Sequence, residues 1–203
     1  MSRPADAPRR TRLSREARGA QLLDVAETLF AAQGFEGTSM EEIARAAGVT
    51  RPMVYAHYPN KDEIFLACVQ RARAELEARI REPEIMIEAG AGAAAVIERA
   101  GTVFFEILER DPDRWMVLFN PSTALSKELA TRLTAMRQHT IVRIADLTRH
   151  FATFDEERNV AFAYAISGVG EQLGRWWINN PDVPRSRVVE HYRDFITGGL
   201  ALP

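Results

Sequence analysis

Thr38–Lys61 reads TSMEEIARAAGVTRPMVYAHYPNK, and its punctuation decides the local fold. Ser39 with Glu42 is a reciprocal capping box that opens a helix over residues 39–46. Gly48 follows Ala47 and supplies the left-handed residue that ends that helix. Thr50 is placed to cap the next helix, with Pro52 in the first turn, where a missing N–H costs nothing. Pro59 ends it. Ile43, Ala47, Val49 and Val54 form a shared core, and Ala44, Ala46 and Ala47 are small enough for close packing. Thr50, Arg51, Pro52, Met53, Tyr55 and His57 are left facing outward. Two short helices across a glycine turn, the second showing Arg, Tyr and His with few acids, have the layout of a helix-turn-helix that faces DNA.

Working outward, helical periodicity dominates. Leu22, Ala26, Leu29, Phe30 and Gln33 share one face, which stops at Gly34. Asn60 with Glu63 makes a second capping box, and its helix is expected to run to about Glu82 and end at Pro83. Further helices are expected over Val96–Arg110 and, after Asp111-Pro112, over the short piece Trp115–Phe119, with a break at Pro121. A long helix from Ser122 carries Leu125, Leu129, Leu133, Met136, Ile144, Leu147 and Phe151 at spacings of three and four. Asp155 caps the next, which reaches about Trp177; the prolines at 181 and 184 make a hinge before a final helix with Val188, Tyr192, Phe195 and Gly199 on one stripe. No alternating strand pattern or repeat is visible. The expected fold is all-α with about nine helices. Residues 1–14 form a disordered basic arm, 15–60 a three-helix helix-turn-helix domain, and 61–203 a larger helical body for regulation and dimerisation. A helix that starts at Lys61 and leaves the module directly joins the two parts rigidly.

Composition narrows the class. Among 203 residues, 46 % are apolar, enough to bury a substantial core. The net charge of −2 is unusual for a nucleic-acid binder, but residues 1–18 hold six arginines against Asp6 and Glu16. That arm reads either as a phosphate contact or as a solubilising tail. Cys68 is the single cysteine, so there is no intrachain disulfide and no cysteine metal cluster. Neither a signal-peptide pattern nor a membrane-length apolar run occurs, so a cytoplasmic protein is expected. The histidines, at 57, 139, 150 and 191, lack helical metal-site spacing. With no phosphate loop or nucleophile elbow either, an enzyme is not expected, and neither is a metal or cofactor.

The segment from Leu22 to about Leu66 resembles the N-terminal domain of the TetR family, the tetracycline-repressor-like regulators. The matching stretches are LFAAQGFEGTS, IARAAGVT and VYAHYPNKDEIF, in order. The resemblance implies that Arg51, Pro52 and Met53 face bases, that Ser39 and Thr50 meet phosphates, and that Tyr55, His57 and Lys61 are phosphate contacts. Arg51 has a natural target in guanine O6 and N7, and Met53 suits a thymine methyl. It further implies a homodimer on a near-palindromic double-stranded operator, with reading heads about one helical turn (~34 Å) apart. By family habit the protein is a repressor released by a small molecule that moves the fourth helix.

Two features of the body bear on that expectation. Over residues 160–177 one helical face is apolar, while Tyr164, Gly168, Glu171 and Arg175 lie opposite. With Val188, Tyr192, Phe195 and Ile196 of the last helix they are the expected dimer surface. The alternative is that both helices cap a monomer core. For the ligand, an unidentified hydrophobic or aromatic molecule with one anionic or hydrogen-bonding group, the candidates are Phe104, Trp115, Phe119, Met136, His139, Arg143 and Trp177. The polar stripe His139, Arg143, Asp146 and His150 reads either as pocket lining or as a solvated edge with salt bridges. A DNA-binding regulator or architectural protein with no small-molecule effector is the rival reading; a cavity in the body discriminates between them.

Overall fold

The computed structural model describes residues 13–119 and 125–200, without the side chains of Leu118 and Phe119. Most of the basic arm, the break at Pro121, the helix start at Ser122 and the Phe119 side chain lie outside the described residues. Nine helices occur among the residues described: α1 (Arg15–Gly37), α2 (Met40–Ala46), α3 (Arg51–His57), α4 (Lys61–Glu88), α5 (Ala93–Arg110), α6 (Pro112–Phe119), α7 (Lys127–Thr148), α8 (Glu156–Ile178) and α9 (Arg185–Gly199).

Capping chemistry sets most boundaries. Ser39 Oγ accepts from the Glu42 N–H at 3.2 Å, and the Glu42 carboxylate accepts from the Ser39 N–H at 2.9 Å, completing the box that starts α2. Gly48 takes φ 65°, which lets the chain turn into α3 without a Cβ clash. Thr50 occupies the N-cap of α3, but its hydroxyl makes no cap hydrogen bond; Pro52 relieves the first turn instead. At α4 only half of the expected box forms. Asn60 Oδ1 accepts from the Glu63 N–H at 2.9 Å, while the Glu63 carboxylate turns to Arg132 on α7. At Gly34 the backbone leaves helical geometry (φ 73°), so α1 kinks there and continues for one short turn.

The largest departure from expectation is α4. It does not stop at Pro83 but runs through it to Glu88, where Ala89 and Gly90 (φ 79°) close it. Proline removes one intrahelical bond. Pro83 is buried, however, and packing on a helix 28 residues long offsets that local loss. Similarly, α7 begins later than expected, with Ser126 as its cap.

Two apolar cores stack along α4. The first is built on Leu22, Phe30, Ile43, Val54 and Phe65, with Val117 of α6 and Leu129 of α7 joining it. Phe65 sits edge-on to Phe30 and Phe35, each at a ring distance of 5.1 Å. A cut at residue 60 would therefore run through a packed core. Cys68 is buried in it beside the Leu23 carbonyl, and burial pushes its thiol up, leaving it neutral and unreactive. The second core gathers Phe105, Leu108, Trp115, Ile166, Trp177 and Val188. There α9 lies tightly on α5, because Gly101 presents no side chain under the Tyr192 ring; a Cβ would stand 2.8 Å from it.

A buried charge network pins the first core to the body. The Glu27 carboxylate of α1, 3 % exposed, accepts from Arg71 of α4 (Nε at 3.0 Å) and from Arg114 Nε of α6 at 3.1 Å. Arg114 also reaches Glu75 at 2.9 Å and Asp111 at 2.9 Å, and Arg71 reaches Asp24 at 2.8 Å. Three helices are thus held by one carboxylate.

Candidate functional site

The outer face of α3 is built by what lies beneath it. Val54 is fully buried against Ile43, which leaves Arg51, Pro52, Met53 and Tyr55 on the exposed side of the same short helix. Met53 and Tyr55 are large apolar side chains held in solvent, an arrangement that calls for a partner surface. Arg51 is exposed and rests against Glu41 of α2 at 3.3 Å, a surface pair that costs little to open. His57 is half-buried, near Gly19 of α1 and beside Tyr58. Tyr58 itself donates to the Gly19 carbonyl at 3.3 Å, and Gln21 donates to the Ala47 carbonyl, fixing α1 against the turn.

Two of the expected phosphate contacts, Ser39 and Lys61, carry structural duties as well. The Ser39 hydroxyl is engaged with Glu42 in the capping box. Thr50 is exposed at the N-cap of α3. Lys61 Nζ donates to the Phe35 carbonyl at 2.8 Å and stands 4.3 Å from the centroid of the Phe35 ring. Ammonium has three donors, so this anchorage holds Lys61 at the foot of α3 with donors remaining.

Below the first core, helices α4, α5, α6, α7, α8 and α9 border a cavity of about 160 Å³. Phe104 and Trp115 line it. The other candidates whose side chains are described do not. Met136 packs at the edge of the first core. His139 is exposed and contacts Glu77 at 3.1 Å, while Arg143 pairs with Glu84. Trp177 is buried in the second core, donating to the Val183 carbonyl at 2.7 Å, outside the cavity wall. The polar stripe on α7 is therefore a solvated edge: Asp146 pairs with Arg149, and His150 turns back to the Asp146 carbonyl.

The charged groups that line the cavity are Arg73, Arg137 and Glu171, and the hydroxyl-bearing residues are Thr140, Thr148, Ser167 and Tyr192. Sequence reasoning missed all of these but Glu171 and Tyr192, which it placed elsewhere. A signal existed for two of them. Arg73 interrupts the apolar run Val69, Ala72, Leu76, Ile80, and Thr140 falls between Met136 and Ile144 on the apolar stripe of α7.

The expected dimer surface divides in two. Val188, Tyr192 and Ile196 are buried within the chain itself against α5, so no partner can reach them. Glu171 faces the cavity and pairs with Arg137 at 2.8 Å, and Arg175 is partly buried. What stays outside is Tyr164, Gly168 with open space above it, and Phe195 at 64 % exposure; Trp176 is exposed as well.

Comparison with known proteins follows the same lines. The model of bacterial regulatory proteins of the tetR family matches residues 22–68, the segment that holds the capping box, the glycine turn and α3. The HTH-type transcriptional activator FasR of Mycolicibacterium smegmatis is 27 % identical over 201 residues, covering 98 % of this chain and 90 % of its own length. The HTH-type transcriptional repressor KstR2 of Rhodococcus jostii is 22 % identical, covering 92 % of each. A TetR-like transcriptional regulator from Rhodococcus sp. RHA1 superposes with a TM-score of 0.77 at 26 % identity, over 94 % of this chain and 99 % of that one. With the reading face on α3, the helical body behind it and these relatives in agreement, the chain belongs to the TetR family and is a DNA-binding transcriptional regulator.

Proposed function

We propose that the protein is a homodimeric repressor that leaves a near-palindromic operator when a small molecule enters the cavity. One observation carries this reading: α4 is a single helix from Lys61, at the foot of α3, to Arg73, Leu76, Ile80 and Pro83 in the cavity wall. A ligand that favours one tilt of α4 shifts the reading heads by its differential affinity for the two states. The cavity also favours this reading over that of an architectural protein without an effector.

In this reading residues 15–60 act as the head and 61–203 as the body. Arg51, Pro52 and Met53 face bases; Ser39, Thr50, Tyr55, His57 and Lys61 set the helix on the backbone. Tyr164, Gly168 and Phe195 meet their counterparts across the two-fold axis. Repression follows from occlusion of a promoter. FasR is named an activator and KstR2 a repressor, so the position of the operator relative to the promoter decides the sign.

The test is titration of operator and random duplexes at several salt concentrations. Arg51→Ala removes base preference, reducing specific affinity by about 1–3 kcal/mol while random binding changes little. Lys61→Ala weakens both duplexes alike and lowers the salt slope by about one. Equal losses on both duplexes for Arg51→Ala contradict its base-reading role, and a footprint upstream of a promoter that the protein stimulates contradicts repression.

A further inference from the structure

The cavity wall is lopsided in charge. Most of it is apolar, supplied by residues such as Val103, Phe104, Trp115, Ile144 and Ile166. Across one side, from α4 to α7 and α8, stand Arg73, Arg137, Thr140, Ser167 and Glu171. Arg137 and Glu171 neutralise each other, with both carboxylate oxygens 2.8 Å from Arg137 Nη2. Ser167 leans on the same carboxylate at 3.4 Å. Arg73 is different. Its Nη1 donates to the Thr140 hydroxyl at 2.5 Å and to the Met136 carbonyl at 3.1 Å, both neutral acceptors. Its Nε is buried with no acceptor, and no carboxylate pairs with it among the described residues. The wall thus holds one more positive than negative charge, in a place where a charge without a counter-ion is costly. Burial first, and then the neighbouring Arg137, lower the Arg73 pKa against the weaker opposing pull of Glu171 and Glu77, neither of which is bonded to it.

We propose that the cavity binds a compact organic monocarboxylate, with its carboxylate on Arg73 and Thr140 and its apolar part among Phe104, Trp115 and Ile166. This rests on the reading of the cavity as the regulatory site. A guanidinium fork receives a planar carboxylate through paired N–H donors, and Arg73 has donors left for it. Size sets the class further. An apolar cavity of about 150 Å³ holds a benzene ring, so about 160 Å³ suits a ring or chain of roughly six carbons, with the carboxylate reaching the polar side. Glu171 in the same wall disfavours a dianion, which separates a carboxylate from a phosphate monoester.

The probes are benzoate, hexanoate, neutral benzamide and phenyl phosphate, titrated into the full-length protein and followed by calorimetry and tryptophan fluorescence. Benzoate or hexanoate is expected to bind at least ten-fold more tightly than benzamide, and phenyl phosphate more weakly than benzoate. Arg73→Met is expected to lose at least ten-fold in carboxylate affinity with benzamide unchanged. Glu171→Gln is expected to tighten carboxylate binding several-fold, a gain that misfolding cannot imitate. If Arg73→Met fails to fold, Glu171→Gln decides. Benzamide equal to benzoate, tighter binding of phenyl phosphate, no binding of either carboxylate, or an unmoved Glu171→Gln each overturns the proposal. Operator retention is measured on the same samples. Carboxylate binding that leaves the operator bound refutes ligand release and keeps this site; operator binding without carboxylate binding removes this site alone.

Discussion

Glu27→Gln tests the joint between head and body. The glutamine keeps the volume but removes the charge that Arg71 and Arg114 share. Glu27 is 3 % exposed, and the two arginine side chains are only 23 % and 18 % exposed, so water replaces the lost carboxylate poorly. Removing one partner of a buried ion pair costs about 3–5 kcal/mol. Here the lower end applies, because Arg71 retains Asp24 and Arg114 retains Glu75 and Asp111. We therefore expect a loss of about 3 kcal/mol, which in a chain of this size lowers Tm by roughly 6–12 °C. The assay is thermal and urea unfolding followed by circular dichroism, at one fixed protomer concentration because association shifts apparent stability. A double-mutant cycle with Arg114→Met should return a coupling above about 1 kcal/mol. A loss below about 1 kcal/mol for Glu27→Gln, or a coupling near zero, would mean that the network is solvated in practice and that the joint is held by apolar packing alone.

Gly168→Leu should leave the helical circular dichroism of the protomer intact, since nothing lies within 4 Å of the added Cβ, yet yield a monomeric mass by light scattering at micromolar concentration. A surviving dimer would move the interface away from this face of α8. Gly101→Ala forces the Tyr192 ring to shift from a 2.8 Å contact and should cost about 1–3 kcal/mol; an unchanged Tm would show that α9 yields freely. Glu42 responds to pH. Hydrogen bonds from the Ser39 hydroxyl and N–H hold its carboxyl below the usual 4.5, so its contribution is complete above about pH 4.5 and is lost as pH falls through the lowered value. Glu42→Gln keeps the cap without titrating, and amide exchange at Ser39 should then lose its acid dependence; identical profiles for the two proteins would dismiss the cap as the cause.

The head was legible because its signals are local. Ser39 with Glu42, Gly48 and Pro52 each act within four residues of themselves, so two dozen positions suffice to read α2 and α3. Pro83 misled for the same reason: the local rule is right about the missing bond, but packing along the rest of α4 outweighs it. The apolar stripe of α9 was visible, yet a stripe does not say what covers it. The answer lay at Gly101, some ninety positions earlier, where a missing side chain admits Tyr192. Glu27 and Arg71 are 44 residues apart and Glu27 and Arg114 87 apart, so no spacing rule links them. Arg73 and Thr140 were the readable omissions, polar residues standing in apolar rows.

The first core has a consequence for how such a regulator can be altered. Because Ile64, Phe65, Leu66 and Val69 of α4, Val117 of α6 and Leu129 of α7 all pack with Leu22 and Phe30, the head is not a cassette. Transplanting residues 15–60 onto another body would sever a shared interior and leave both halves with mismatched surfaces. New operator preference is more accessible through single changes on the outer face of α3, where Arg51, Pro52, Met53 and Tyr55 have few obligations to the interior. In an inheritance of this kind, address and trigger diversify by substitution in place, and recombination at the helix-turn-helix boundary is the route that the packing closes.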